Sequence, residues 1–302
     1  MMGAMFMIIS CGKITTTQSS PASTSTPPLR SQPTTVTATQ TITATQTFTP
    51  SPVPTATWVM QGPDNVLVPI LLYHRIDTSL TDGRYYVTPE KFGEEMKLLH
   101  DWKYTTITTE MLIKAITDGI ELPPRPILIT FDDGHLDNYT SAFPIMQKYG
   151  FTGVLYLVHN YIGVDQYMNR EQILEMYKAG WEVGSHSMNH FDLTKLSPTA
   201  RRSEIVDSRK MLEGLLDIPI LTFAYPFGAM SNSARNDVKS AGYLAAMGAS
   251  GYAASQGKWN LFYLQRAEIK GSEDAKTFTR FLPWLGDPAL LPTATPSQTP
   301  HP

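Results

Sequence analysis

Two short segments of the chain carry residues of the types that bind metal ions and move protons. One contains the adjacent aspartates Asp132 and Asp133, and the other contains His186 and His190, four positions apart. Two imidazoles and one carboxylate form a donor set that suits zinc and leaves a position open for water or substrate. The second carboxylate would stay free to take a proton from the attacking water. The spacing of the histidines suits one helical turn, on which they would share a face.

The elements that must position these residues are predicted from the alternation of apolar runs and helical periodicity. Buried strands are predicted at 66–73, 126–131, 152–158, 181–185, 219–224, 243–247 and 262–269. Helices are predicted to begin at Thr88-Pro89 and at Ser197-Pro198, and to span 139–149, 170–179 and 234–241. This alternation indicates a parallel sheet, either open or closed into a barrel. Because chemistry gathers at the carboxyl ends of such strands, the aspartates and histidines are expected to meet there.

Each motif has a simpler interpretation when it is taken alone. Asp132-Asp133-Gly134 alone would be a surface turn, since Gly134 tolerates a positive φ without steric cost. Two histidines at this spacing can also be surface or core residues that bind no metal. The predicted strand before each motif favours the metal site over both alternatives.

The two motifs resemble a known family. TFDDG (130–134) and HSMNH (186–190) are similar to the first two motifs of the polysaccharide deacetylases, the carbohydrate esterases with a NodB homology domain. The resemblance extends over residues 66–285 and implies an α/β fold, a distorted (β/α) barrel with fewer than eight strands. It implies that Asp133, His186 and His190 bind a divalent metal ion, with zinc expected first and cobalt or nickel as alternatives. It also implies that Asp132 is the general base.

Two positions depart from the commonest form of this family. Its third motif carries an arginine before a Pro-aromatic pair, which FAYPFG (223–228) lacks, and its fifth motif ends in a histidine where this chain has Arg266. A branch similar to the biofilm poly-N-acetylglucosamine deacetylases has its acid histidine in a Tyr-His motif of the first strand, as in Tyr73-His74. The resemblance therefore implies that His74 is the general acid and that Arg266 orients Asp132. By motif position, the Phe227 backbone N–H is the candidate oxyanion donor, and Tyr225 is a candidate sugar-binding residue.

The function that the resemblance implies is hydrolysis of N-acetyl groups on a polymer that contains N-acetylglucosamine. Poly-N-acetylglucosamine, peptidoglycan and chitin-like glycans all fit this description. Two alternatives stay open: a catalytically inactive carbohydrate-binding protein with the same fold, and a metal-dependent amidohydrolase that acts on small cyclic amides. A bound metal ion would argue against an inactive carbohydrate-binding protein. Aromatic residues along an open groove would favour a polymeric substrate over a small cyclic amide.

Composition divides the 302 residues into four predicted segments. Residues 1–12 resemble a signal segment that ends in a lipobox, which would make Cys11 a lipid anchor. Residues 13–57, nearly all Thr, Ser, Pro, Gln and Ala, are predicted to be a disordered stalk, because they offer too little apolar surface to fold. Residues 58–287 form the catalytic domain, and 288–302 form a disordered tail. These features predict an extracellular or cell-surface protein.

Charge and cysteine content exclude several classes of protein. The chain carries 24 lysines and arginines against 27 acidic residues, a net charge of −3, and has no basic block of the kind that binds nucleic acid. Its one cysteine excludes an internal disulfide framework and a zinc site built from cysteines. No apolar run reaches the ~18–20 residues that a membrane-spanning helix needs.

Overall fold

The computed structural model describes residues 59–78, 83–249, 251 and 254–288. The predicted signal segment (1–12) and stalk (13–57) lie outside these described residues, as does the predicted tail (288–302) apart from Pro288. Within these ranges, the helices are all too short or too polar to cross a membrane.

Strands and helices alternate along the described part of the chain. The strands are β1 (Val59–Met60), β2 (Asn65–Leu67), β3 (Ile70–Tyr73), β4 (Arg75–Ile76), β5 (Tyr86–Val87), β6 (Thr105–Thr106), β7 (Glu121–Leu122), β8 (Pro126–Asp133), β9 (Val154–Leu157), β10 (Glu182–Ser185), β11 (Thr222–Ala224), β12 (Ala245–Met247), β13 (Ser255–Gly257) and β14 (Ala267–Glu268). The helices are α1 (Pro89–Asp101), α2 (Thr109–Asp118), α3 (Phe143–Lys148), α4 (Arg170–Lys178), α5 (Pro198–Arg202), α6 (Ser208–Leu216), α7 (Asn232–Ser240) and α8 (Ala275–Thr279).

One parallel sheet positions the predicted site. Its strands follow the order β12-β11-β10-β9-β8-β3-β14, and β6 pairs with β8 off this path. Every pairing within this sheet is parallel. The central strands β3 and β9 are buried along their whole length, as expected for a parallel sheet that is covered on both faces. The predicted α/β fold is confirmed. Its sheet has eight strands, seven on the path and β6 beside it, where fewer than eight were expected.

The sheet is curled, and one side chain demonstrates this. Arg266 donates from Nε to the carbonyl of Gly248, just after the edge strand β12, and its guanidinium reaches Asp132 on β8. In a flat sheet β12 and β8 would lie about 19 Å apart, because neighbouring strands are ~4.8 Å apart. A single guanidinium cannot span that distance. Residues 261–266 also link the two edges: Leu264 pairs with Met247 of β12, and β14 then pairs with β3.

Alternation along β8 decides which face each of its residues occupies. Ile127, Ile129 and Phe131 pack in one apolar cluster, whereas Leu128 belongs to a second cluster within the curl of the sheet. Because successive strand residues point to opposite faces, Asp132 shares the inner face with Leu128. Asp133 would point outward by this rule, but its backbone is left-handed, with φ of 72°. Gly134 continues the turn at φ of 82°, which confirms the positive φ predicted for it.

Several predicted elements differ in extent from the observed ones. The predicted strand 66–73 is divided into β2 and β3 around Pro69, which has no N–H to donate to a ladder. The predicted strand 262–269 is reduced to β14, because the residues before it cross from one sheet edge to the other. Helix α2 was not predicted. The start of α1 is confirmed, with Thr88 capping Lys91 N–H and Pro89 in the first turn.

Candidate active site

The predicted metal ligands come together at the carboxyl ends of two strands. Asp133 ends β8, whereas His186 and His190 follow β10. One donor atom from each of the three side chains lies within 4.8 Å of the others. Asp133 Oδ1 is 3.5 Å from His186 Nε2 and 3.4 Å from His190 Nε2. The geometry is therefore that of three donors arranged around one point.

The chemistry of these donors fits a divalent cation. Asp133 Oδ1 is buried and accepts no hydrogen bond from the described residues. His186 Nδ1 lies 2.8 Å from the carbonyl of Ala224, which can only accept, so Nδ1 carries the proton and Nε2 presents its lone pair. Burial lowers the pKa of His190, which favours the neutral imidazole. Two neutral imidazoles and an unpaired carboxylate oxygen suit zinc and related ions.

Asp133 is held as a carboxylate by the imidazoles around it. Burial acts to raise the pKa of Asp133, but a hydrogen bond from His135 is the largest of the opposing effects, and the pKa is lowered. His135 Nε2 lies 3.5 Å from Asp133 Oδ2, and the His135 ring stacks on Tyr167 at 4.8 Å between centroids. The oxygen that faces His135 is thus not the oxygen that faces the two histidine ligands.

The histidine pair lies on a loop, so the prediction of a shared helical turn is wrong. Residues 186–190 form no helix, and both Ser187 (φ 71°) and His190 (φ 60°) have left-handed backbones. Ser187 Oγ accepts a hydrogen bond of 2.9 Å from the backbone N–H of His190. This turn, not helical periodicity, brings the two imidazole rings to 4.8 Å between centroids.

Asp132 forms a buried bidentate ion pair with Arg266. Both guanidinium–carboxylate distances are 2.7 Å, and Arg266 is only 1% exposed. Burial acts to raise the pKa of Asp132, but the positive charge of Arg266 is the largest opposing effect, and the pKa is lowered. Asp132 Oδ2 is 3.7 Å from His186 Nε2, so this ionised carboxylate borders the three-donor cluster. The structure thus brings Arg266 onto the predicted base across 134 positions of sequence.

His74 lies in the same cleft, directly after β3. Its ring meets the Tyr85 ring edge-on at 4.9 Å, and its buried Nδ1 has no hydrogen-bond partner among the described residues. Burial lowers the pKa of His74, whereas the charges of Asp132 and Asp133 act in the opposite direction. A buried imidazole near two carboxylates is a candidate proton donor or acceptor.

The two residues predicted from the third motif occupy different environments. Phe227 has a left-handed backbone (φ 58°), its side chain is 66% exposed, and its ring lies 4.5 Å from that of His190. Its ring therefore lies beside one of the predicted metal ligands. Tyr225 is fully buried and packs on Phe223 in the core. The expectation that Tyr225 stacks on a sugar is therefore wrong, because its alternating position on the strand end turns the ring inward.

An open cleft of about 570 Å³ surrounds these groups. Its walls are aromatic and charged: besides the residues already placed there, it is lined by Arg75, Arg84, Tyr86, Ala249 and Glu268. A cleft that contains an ionised carboxylate, a three-donor cluster and a buried imidazole can activate water and protonate a leaving group.

The sequence interpretation missed two buried carboxylates that support this cleft. Asp137 accepts from Arg75 Nε at 2.6 Å and from the backbone N–H of Ile76 at 2.8 Å, which fixes the chain just after His74. Glu204 accepts from the backbone of the 186–190 loop. Neither Asp137 nor Glu204 lies in one of the catalytic motifs. Their hydrogen-bond partners are distant in sequence, so the local sequence offered no signal for either residue.

Comparison with known proteins points to one family. The family model for polysaccharide deacetylases matches residues 119–246. YxkH of Bacillus subtilis, which carries a polysaccharide deacetylase name, is 29% identical over 229 residues, covering 76% of this chain and 80% of that protein. Poly-β-1,6-N-acetyl-D-glucosamine N-deacetylase of Staphylococcus aureus is 28% identical over 174 residues, 52% of this chain and 59% of the enzyme. The chain therefore aligns with less than two thirds of that enzyme's length.

A solved structure shows the same fold. Deacetylase PplD of Streptococcus pyogenes, determined in complex with acetate, superposes with a TM-score of 0.68. The match covers 72% of this chain and 98% of PplD at 23% identity. The curled parallel sheet with its surrounding helices is thus an arrangement already known among deacetylases.

Proposed function

Because the polysaccharide deacetylase family model matches residues 119–246 and YxkH aligns over 229 residues, we propose that the chain belongs to this family and removes N-acetyl groups from an extracellular polymer of N-acetylglucosamine. The observation that carries the proposal is the juxtaposition of the three-donor cluster with the Arg266-bound Asp132 in one open cleft. Poly-β-1,6-N-acetylglucosamine is the first candidate, because the named staphylococcal relative acts on it and because Tyr73-His74 and Arg266 match that branch.

Asp133, His186 and His190 are the residues that would hold a divalent metal ion, with zinc expected first and cobalt or nickel as alternatives. When bound, such an ion polarises an amide carbonyl and lowers the pKa of water toward ~7. The orphaned Asp133 Oδ1 supports this assignment, because it is a buried acceptor that a cation would satisfy. His186 supports it as well, because its Nδ1 bonds to a carbonyl and its Nε2 lone pair lies 3.5 Å from that oxygen.

The remaining roles follow from charge and position. Asp132, kept ionised by Arg266, takes the proton of the attacking water. The backbone N–H of Phe227 stabilises the oxyanion of the tetrahedral intermediate, a contribution worth ~3 kcal/mol for one such donor. His74 protonates the departing amine, so that acetate and a free amino sugar leave the cleft. No organic cofactor is needed for this hydrolysis.

The cleft's aromatic walls support a polymeric substrate over a small cyclic amide. Tyr85 and Phe227 lie on the cleft and expose 37% and 66% of their surface. Exposed rings beside an open groove can stack on successive sugar rings, whereas a small substrate is usually enclosed by its pocket. An ionised Asp132 beside the donor cluster also favours turnover over carbohydrate binding alone.

The proposal is tested by acetate release from a panel of glycans. After chelation, the full chain is assayed with zinc, cobalt or nickel on poly-β-1,6-N-acetylglucosamine, chitin oligomers, peptidoglycan and a small cyclic amide. We expect no release without metal, recovery when metal is added, and the highest kcat/KM on poly-β-1,6-N-acetylglucosamine. Turnover that persists after chelation would contradict metal dependence. Activity confined to the cyclic amide, or glycan binding without release, would contradict the assigned reaction.

The acid role of His74 gives a separate prediction. In a His74→Ala variant, acetate release should fall about 10²-fold or more, because a positioned general acid contributes at least that factor. Since an acid acts in its protonated form, the wild-type rate should decline as the pH rises through the pKa of His74. That decline should be absent from the pH–rate profile of the variant. His100→Ala, which changes an exposed histidine on α1, is the control. An unchanged rate for His74→Ala would assign the proton to another group.

We also propose that the protein works outside the cytoplasm. The Thr/Ser/Pro-rich composition of residues 13–57 and the extracellular nature of the polymer support this location. A lipid anchor at Cys11 stays a prediction from the sequence, because Cys11 lies outside the described residues. Metabolic labelling with a lipid analogue, compared between the wild type and Cys11→Ala, would test the anchor.

A further inference from the structure

We propose that Glu204 is a positioning residue that holds the histidine-bearing loop, residues 186–190, in its ligating conformation and thereby sets the affinity of the chain for metal. This inference rests on the proposed function only in taking that loop as part of a metal site. Glu204 is 5% exposed, and it is not one of the three clustered donors. It acts through backbone and side-chain hydrogen bonds to residues between the two histidines.

Three hydrogen bonds join the Glu204 carboxylate to this loop. Oε2 accepts from the backbone N–H groups of Met188 at 3.1 Å and Asn189 at 2.9 Å. Oε1 accepts from Asn189 Nδ2 at 2.6 Å. Hydrogen bonds to an ionised acceptor are roughly twice as strong as neutral ones, so this carboxylate is a strong anchor for two consecutive residues.

The opposite edge of the loop is held by a different segment. The carbonyl of Ser187 accepts from the backbone N–H of His159 at 3.2 Å, and that of Met188 accepts from Asn160 at 3.1 Å. Asn160 Nδ2 also donates to Asn189 Oδ1 at 2.6 Å. The loop is therefore fixed on both sides, with Glu204 serving its N–H groups and residues 159–160 serving its carbonyls.

Such anchoring is needed because the loop is strained. Non-glycine residues in the left-handed region are strained and persist only where surrounding contacts impose them. Ser187 and His190 are both in this region. Without Glu204, two partly buried N–H groups would lose their acceptor, and a relaxed backbone at Ser187 or His190 would separate the two imidazoles.

Glu204 lies in a π-helical turn that hydrogen bonds attach to the protein core. Residues Ser203–Asp207 form a π-helical turn between α5 and α6, and such turns occur frequently at functional sites. The carbonyl of Ile205 accepts from Ser208 Oγ at 3.0 Å and from Tyr243 OH at 3.1 Å, which fixes the turn to the core. Ser208 Oγ also lies 2.9 Å from Ser185 Oγ, at the end of β10. Glu204 is thus mounted rigidly with respect to the strand that leads into His186.

The test measures Zn²⁺ affinity of the full chain by competition with a chelator, without any substrate. Glu204→Gln should weaken Zn²⁺ binding about 10–100-fold, the range typical for losing a group outside the ligand set that holds the ligands in place. The glutamine side chain has one acceptor oxygen and one donor NH₂ group. When the oxygen faces the backbone N–H groups, the NH₂ faces Asn189 Nδ2, which is also a donor. The double variant Glu204→Gln/Asn189→Asp reverses that hydrogen bond and restores the carboxylate charge, so it should recover most of the lost affinity.

Two controls separate positioning from charge and from folding. Asp192→Asn removes a negative charge two residues after His190. Asp192 bonds to Thr194 and Lys195 and not to the 186–190 loop. The Zn²⁺ affinity of this variant should therefore equal that of the wild type. Unfolding of the metal-free proteins by urea shows whether each variant is folded. At saturating Zn²⁺, acetate release by Glu204→Gln should approach the wild-type rate, with the effect confined to the metal-titration midpoint.

Specific outcomes would overturn the inference. Wild-type Zn²⁺ affinity in folded Glu204→Gln would do so, as would an equal loss in Asp192→Asn, because the effect would then be one of charge. If Glu204→Gln does not fold, Asn189→Ala removes one of the three bonds, and an unchanged affinity there would count against the proposal. A wild type that binds Zn²⁺ but releases no acetate would contradict the proposed function alone. A wild type that binds none of Zn²⁺, Co²⁺ and Ni²⁺ would overturn both.

Discussion

Replacing Asp132 by asparagine should lower the rate of acetate release about 10²–10⁴-fold, the range that positioned acid–base groups contribute. Asparagine can still accept a hydrogen bond from Arg266, which donates to both carboxylate oxygens in the wild type. It cannot take a proton from water. Zn²⁺ affinity should change much less than the rate, because the three clustered donors do not include Asp132.

The measurement is kcat on the preferred glycan at saturating Zn²⁺, with Asp192→Asn as the matched control outside the cleft. A wild-type kcat in Asp132→Asn would remove Asp132 from the mechanism. A large loss of Zn²⁺ affinity would instead indicate that Asp132 is a ligand and that the division of roles between the two aspartates is wrong.

Replacing Arg266 by methionine should cost about 3–5 kcal/mol of unfolding free energy at neutral pH, as breaking one side of a buried ion pair typically does. The variant leaves the Asp132 carboxylate buried without its bidentate partner, and it also removes the bond to the Gly248 carbonyl. Methionine is similar in length and flexible, so the loss reflects charge more than a cavity. Urea denaturation of the metal-free proteins gives the difference in free energy.

The pH dependence of this loss has a definite sign. In the wild type the pKa of Asp132 is lowered, so its stabilising contribution is present above the pKa of the unfolded chain and is lost as the pH falls through the lower folded value. Without Arg266, burial dominates and raises the pKa of Asp132, and protonation then relieves the unpaired charge. The deficit of Arg266→Met should therefore be largest at neutral pH and shrink on acidification. A deficit independent of pH would assign the loss to packing.

The same variant should lose activity as well as stability. A raised pKa reduces the fraction of Asp132 that is ionised, so the acid limb of the pH–rate profile should move to higher pH. Arg266→Lys keeps the charge but not the paired geometry, and it should lie between the wild type and Arg266→Met. Equal pH–rate profiles for the wild type and Arg266→Met would show that Arg266 serves the fold without serving the base.

Much of the site followed from local sequence, because strand periodicity and the residues that follow each strand are encoded within a few positions. TFDDG lies at the carboxyl end of β8, and HSMNH directly follows β10, as the apolar runs before them predicted. The positive φ of Gly134 was likewise predictable from the type of residue alone. The α/β class followed from the alternation of elements.

Other features depended on contacts that no local pattern encodes. The histidine spacing suited a helix, yet His186 and His190 converge through a loop with left-handed residues, to which Ser187 and Glu204 are hydrogen-bonded. Tyr225 had the right type for a sugar platform, but the strand end turns it into the core. Glu204 reaches the loop from a π-helical turn, Ser203–Asp207, and the carbonyl of Ile205 in this turn accepts a hydrogen bond from the Tyr243 hydroxyl.

By itself, the sequence determined which residue types stand at the strand ends and therefore which ligands and proton carriers the chain can supply. Only the tertiary structure decided how those residues are divided among roles. The curl of the sheet brings Arg266 to Asp132, and the left-handed turn at Asp133 directs its free oxygen toward the histidines. The physical reason is the sequence separation of the contacts. Side-chain alternation depends on neighbouring residues, whereas the curl of the sheet brings together groups more than a hundred positions apart and so decides which charges lie next to each other.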